Sequence, residues 1–208
     1  MLTPAFIDWW FSPWSFGSHD HGIALLPAAT GALGQRDGYR LWCFQAGVAP
    51  DFPGLCEPGW SIAASIDGGQ LALTAQLFSG LIAARNHDQD ELSALSFPDR
   101  KWCTSTAAIQ PLQQYPGVAP AGVPLPIRGL YQLAAHLIQG FPGMWPRLRR
   151  LLEPDTAEAV DRILQGRPGR ELAPPALSAR AQKCWRICRL RAEASLTAAM
   201  FGHPLPIQ

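Results

Sequence analysis

Apolar positions along this chain recur at helical rather than alternating spacing. Leu73, Leu77, Phe78, Leu81 and Ile82 repeat every three or four residues and predict a helix over about 69–85. Asp88, followed by Glu91, opens a second short helix through Leu92, Leu95 and Ser96, which Pro98 ends. A third piece is expected over 99–110. Ile127, Leu130, Tyr131, Ala134, Leu137, Ile138 and Phe141 form the clearest stripe. Residues 144–154 continue after a Pro-Gly break. Asp155 and Glu158 cap a short helix carrying Ala159, Ile163 and Leu164 up to Gly166. The longest helix is expected over 177–201, with Cys184, Trp185, Cys188, Ala192, Leu196 and Ala199 on its buried side. Gly202 and Pro204 follow it in the order expected of a helix end. At the start, Pro4 opens a short helix or turn over 4–14.

Twenty prolines and nineteen glycines set the breaks between these pieces. Residues 35–60 hold seven of them and read as an irregular connection, with at most a short strand at Tyr39–Phe44. Residues 111–126 hold five prolines and read as a linker or an arm crossing the surface. No internal repeat or useful heptad run is present. The predicted fold is mainly α: an irregular single-domain helical bundle over residues 1–208, with Pro/Gly-rich connections and little or no sheet. If the proline-rich linker separates anything, it separates 1–110 from 127–208.

Composition changes this picture little. Hydrophobic residues make up 48% of the chain and charged residues 16%, against about a quarter in an average domain. Such a chain has ample apolar area to fold around, and its sparse charge hints at surface that meets partners. The charge is unevenly placed. Residues 1–125 carry five basic and ten acidic side chains, a net of −5, and residues 126–208 carry twelve and six, a net of +6. The basic side chains cluster at Arg147, Arg149 and Arg150, then at Arg180, Lys183, Arg186, Arg189 and Arg191. Such clusters serve an acidic protein surface, a phosphate backbone or lipid headgroups, or simply solvate helix faces. With no reader motif and a near-neutral total, charge-assisted protein contact is the preferred reading, and a basic-helix nucleic-acid-binding protein is the weaker alternative. The five cysteines, with no secretory leader before them, are read as reduced thiols of a cytosolic protein. The stretch 68–84 is too short and too polar to span a bilayer comfortably, so no direct membrane insertion is expected.

Candidate chemistry is thin. Residues 9–22 read WWFSPWSFGSHDHG. His19 and His21 would project to one face of an extended strand and would serve a small metal-assisted hydrolase, with a third ligand from His87, His136, Asp88 or a cysteine. Gly17, Ser18, Asp20 and Gly22 favour a turn instead. Cys184 and Cys188 stand one helical turn apart. Arg186 and Arg189 would favour their thiolates, but two small apolar residues on a buried stripe fit better. No nucleophile elbow, phosphate loop, dinucleotide fingerprint or zinc-protease motif is present. The expectation is a non-enzyme with no cofactor and no metal. Trp9, Trp10, Phe11, Trp14 and Phe16 carry more apolar area than a terminal segment can bury by itself. They either plug the protein's own core or dock on a partner.

These residues also carry a family likeness. FIDWWFSPWSFGSH, residues 6–19, resembles the N-terminal signature of the sorting-platform accessory proteins of bacterial type III secretion systems, the SctK family. That signature sets an aromatic or aliphatic pair before Phe-x-Pro-x-x-Tyr, with a histidine shortly after. Phe11-Ser-Pro13-Trp-Ser-Phe16 fits it, with Phe16 replacing the tyrosine and His19 one position late. GLYQLAAHLIQGFPGMWPRLRRLL, residues 129–152, resembles the family's later segment of Gly-Leu helix, proline break, Trp and arginine-leucine run. Residues 35–65 match nothing in it. The resemblance implies a non-enzymatic adaptor of the injectisome, peripheral at the cytoplasmic face of the inner membrane. It would link the cytoplasmic domain of the inner-membrane ring protein to the C-ring-type pod protein and, indirectly, to the ATPase stator. It transfers no catalytic residue. Candidate partner-binding residues are Trp9, Trp10, Phe11, Trp14, Phe16, Arg147, Arg149, Arg150, Lys183, Arg186 and Arg189.

Overall fold

A helix buried on nearly every side organises the molecule. The computed structural model describes residues 2–12, 32–64, 66–115, 122–166 and 175–201. Among them no strand occurs, and the fold is mainly α as the pattern predicts. The helices are α1 (Pro4–Phe11), α2 (Ala32–Ala46), α3 (Gly68–Arg85), α4 (Gln89–Ser93), α5 (Phe97–Ile109), α6 (Leu125–Gly140), α7 (Trp145–Leu148), α8 (Pro154–Gln165) and α9 (Pro175–Phe201). Two 3₁₀ turns, Pro58–Ala63 and Arg149–Leu151, complete the set.

The central helix is α3. Asp67 caps it, accepting a 2.7 Å hydrogen bond from the Gln70 amide. Its residues from Leu71 to Ala83 are buried on most sides, because α5, α6 and α9 all pack against it. Two glycines permit this closeness. A Cβ on Gly129 of α6 would overlap the backbone carbonyl of Ala75, and one on Gly80 would lie 2.8 Å from Cys103 Sγ on α5. One apolar cluster runs from Phe6 to Ala192 and includes Trp10, Trp60, Phe78, Tyr131, Phe141 and Trp185. Residues before and after the proline-rich arm therefore share a core. The described part of that arm lies along α6. Leu112 is buried, and the Tyr115 amide donates to Gln132 Oε1 at 2.7 Å.

Several boundaries differ from the pattern-based expectation. Pro98 does not stop α4; it occupies the first turn of α5, where its missing N–H costs nothing. Glu153 rather than Asp155 is the N-cap residue of α8, with Pro154 first inside the helix. Ile138 is half-exposed at the end of α6, and Ala199 of α9 is exposed because burial on that helix fades after Ala192.

The largest correction is α2, which replaces the irregular connection and short strand expected over 35–60. Tyr39, Trp42, Cys43 and Ala46 stand at helical spacing and form a small cluster with Val48. Gly47, at φ +63°, ends the helix. The Gly47 amide donates to Phe44 O at 3.2 Å and the Val48 amide to Cys43 O at 2.9 Å, the paired bonds of a Schellman terminus. No described helix is long and apolar enough to cross a membrane.

Candidate partner-binding site

The N-terminal signature builds α1 around its own division of labour. Thr3 Oγ1 accepts from the Phe6 amide at 3.2 Å, and Pro4 fits the first turn. Phe6, Trp9 and Trp10 then point inward. Trp10 packs on Phe52 and Phe141 with ring centroids 5.0 and 5.6 Å away, and Phe6 meets Phe141 at 5.5 Å. Trp9 and Trp10 are thus core residues of this chain, which leaves no indole face for a partner. Ile7 and Phe11 lie on the other side of the helix, 36% and 39% exposed. Trp14, Phe16, His19 and His21 lie outside the described residues.

The arginine cluster also turns inward. Arg147 is buried, its guanidinium 3.8 Å from the Trp10 ring centroid. It donates to Gly143 O at 2.9 Å, to Tyr39 Oη at 2.6 Å and to Ala49 O at 3.2 Å. Tyr39 Oη in turn donates to Pro50 O at 2.9 Å. Arg150 donates to Ala46 O at 3.0 Å, and Arg149 pairs with Asp161 at 2.7 Å. Arg147 and Arg150 thus clamp the end of α2 and the turn after it to the body, while Arg149 ties the second 3₁₀ turn to α8. Burial lowers the pKa of Arg147 and pushes the Tyr39 phenol up to about 12.

Clamped in this way, α2 presents a surface that the sequence pattern hides. Leu41 is 42% exposed and Phe44 84%, on the side away from Tyr39, Trp42 and Cys43. Arg36 and Arg40 are exposed on the same helix. Between α1, α2 and the turn at Pro50–Asp51 lies a groove of about 520 Å³. Ile7, Phe11 and Tyr39 give it apolar walls, and Asp8, Arg36, Arg40 and Asp51 line its polar parts. A groove of this size is large enough for a small ligand or for a side chain of another protein.

On α9 the basic residues divide. Arg189 donates to Ile62 O at 2.6 Å, and Arg191 pairs with Asp99 of α5 at 3.3 Å. Arg180, Lys183 and Arg186 are exposed. Of the candidate partner-binding residues within the described structure, Phe11, Lys183 and Arg186 are exposed, and Arg149, Arg150 and Arg189 are half-buried in the bonds above. The structure adds Leu41 and Phe44, whose i, i+3 spacing was the available signal.

The remaining polar groups are knitted into the core. Cys184 and Cys188 are fully buried on α9, and burial raises both thiols above their ordinary value, Cys188 most strongly. That opposes the thiolate character which Arg186 and Arg189 suggested. Ser178 donates to Glu57 Oε2, and Trp60 Nε1 donates to Ser178 Oγ at 3.2 Å. His136 packs between Trp60 and Tyr115, ring centroids 5.2 and 4.7 Å away. His87 sits at φ 57° in the turn after α3. Among the described residues no three His, Cys, Asp or Glu side chains gather as metal ligands. Comparison with protein-family models, with curated proteins and with solved structures finds no match.

Proposed function

We propose that this chain is a non-enzymatic adaptor of a bacterial type III secretion injectisome. It would sit at the cytoplasmic face of the inner membrane, joining the cytoplasmic domain of the inner-membrane ring protein to the sorting-platform pod protein. The reading starts from the resemblance of residues 6–19 and 129–152 to that family. The observation that carries it is how these two segments meet. Trp10 of the first lies under Arg147 of the second, so the likeness falls on one packed unit rather than two scattered runs. That unit supports α2, whose Leu41 and Phe44 stand outward, while Tyr39 of the same helix walls a groove with Phe11. Exposed aromatic anchors on a braced helix are what a docking protein needs.

The test is co-purification of the full chain with the ring protein's cytoplasmic domain and with the pod protein from the same secretion locus. The reading expects a stable complex with at least one of them. Phe44→Ala with Leu41→Ala should weaken that complex, while Phe97→Ala, exposed on another helix, should leave it intact. Failure of the wild-type chain to hold either protein overturns the assignment.

A further inference from the structure

The cations of α9 form two sets with different fates. Arg189 and Arg191 bond to Ile62 O and to Asp99 and hold the helix to the body. Arg180, Lys183 and Arg186 are exposed, and among the described residues no carboxylate pairs with them. They stand at three-residue steps, where like charges repel and weaken the helix that carries them. One turn on, Leu190 is 59% exposed, and Glu193 is exposed beyond it. The outer face of α9 thus reads three positive charges, one apolar side chain and one negative charge, over about 20 Å of helix. The opposite face is fixed: Cys184, Trp185, Cys188 and Ala192 are fully buried, and Trp185 meets Phe78 edge-on at 5.2 Å. The charges therefore ride on a rigid support.

We propose that this face of α9 docks an acidic amphipathic helix of a protein partner. That helix would carry three carboxylates, an apolar side chain and a base in matching order. The proposal rests on the adaptor reading for the existence of a protein partner and adds that partner's chemistry. Nucleic acid suits the face poorly, because Glu193 would confront phosphate and Leu190 would gain nothing. A second copy of α9 fares no better. Antiparallel pairing matches Arg180 with Glu193 only by bringing the two Arg186 side chains together.

The test uses the full chain and synthetic helical peptides. One peptide carries three glutamates at helical spacing, then leucine, then lysine; another carries the same face in reverse, for antiparallel docking. A third has the same composition with leucine and lysine interleaved among the glutamates. One ordered peptide should bind about tenfold more tightly than the interleaved one, the scale expected of three surface charge pairs acting together. The triple reversal Arg180→Glu, Lys183→Glu, Arg186→Glu should lose that binding and keep the wild-type urea midpoint. It should gain a peptide with three lysines, leucine and glutamate. Equal binding of ordered and interleaved peptides, no peptide binding, or tighter binding to a DNA duplex or phosphatidylserine vesicles overturns the proposal. Co-purification of the wild-type chain with ring or pod protein, together with any of those outcomes, sinks this inference alone. Failure of co-purification sinks the adaptor reading instead.

Discussion

The guanidinium carbon of Arg147 lies over the indole of Trp10, 3.8 Å from the ring centroid, although 137 positions of sequence separate them. Its two terminal nitrogens donate to Gly143 O, Ala49 O and Tyr39 Oη. One side chain therefore joins α1, α2 and the turn before α7. Removing it would strand the buried Tyr39 hydroxyl and two part-buried carbonyls, and bare an indole face. Arg147→Ala should destabilise the protein by about 3 kcal/mol, seen as a melting point lower by roughly 6–12 °C. Arg147→Lys keeps the charge but not the planar fork, and should recover less than half of the loss. A lysine variant as stable as wild type would show that charge alone matters here.

Tyr39 makes the same junction sensitive to alkali. Burial is the main cause raising its phenol from 10.0 to about 12, and the charge of Arg147 offsets only part of the rise. The folded state thus favours the neutral phenol. The stability this contributes is fully present below pH 10 and is lost as pH climbs towards 12. The loss across that window should be about 2–3 kcal/mol. Urea midpoints below and within the window should fall more steeply for wild type than for Tyr39→Phe, which has no proton to lose there. Parallel pH curves for the two proteins would contradict the assignment.

How far the sequence reveals this arrangement varies by element. Helices α3 and α6 are legible because apolar residues recur on them without interruption. Helix α2 is not, because Gly38 inside it and the glycines and prolines after it look like loop. Its helical state rests on Tyr39, Trp42 and Cys43 packing together, and on a glycine terminus that only the backbone reveals. The aromatic run of α1 is visible at once, yet not its sidedness: Trp10 is buried and its neighbour Phe11 is 39% exposed. The arginines are the hardest case. Sequence gives their charge, but Arg147 bonds to Tyr39 and Arg189 to Ile62 across 108 and 127 positions. Local spacing cannot distinguish such a cation from Lys183, which stays in solvent.

The α3–α6 contact depends on the absence of one methyl group. Gly129 faces the Ala75 carbonyl so closely that a Cβ would overlap it. Backbone cannot swing aside as a long side chain does, so the helices would have to separate. Gly129→Ala should cost at least ~3 kcal/mol, at the upper end of overpacking effects, despite alanine's better helix propensity. Gly54→Ala is the control, since nothing lies within 4 Å of the added carbon. It should change the unfolding free energy read from urea titration by no more than ~0.5 kcal/mol. A neutral Gly129→Ala would mean that α6 can slide on α3.

The five thiols should divide by reach rather than by charge. Cys103, Cys184 and Cys188 are fully buried, Cys43 is 1% exposed, and Cys56 is partly open beside the 3₁₀ turn. Burial raises every one of these thiols above its ordinary value, Cys103 to about 12. Little thiolate is therefore present in the fold near neutrality, and attack on a disulfide reagent needs both a thiolate and a path. In native protein, Cys56 should react first, at least ~10-fold faster than the other four, and Cys56→Ser should abolish that phase. The remaining four should follow the opened fraction, accelerating together as urea is added. If Cys184 or Cys188 instead kept pace with Cys56 without urea, α9 would be opening by itself. The helix could not then be the rigid support on which Arg180, Lys183 and Arg186 are displayed.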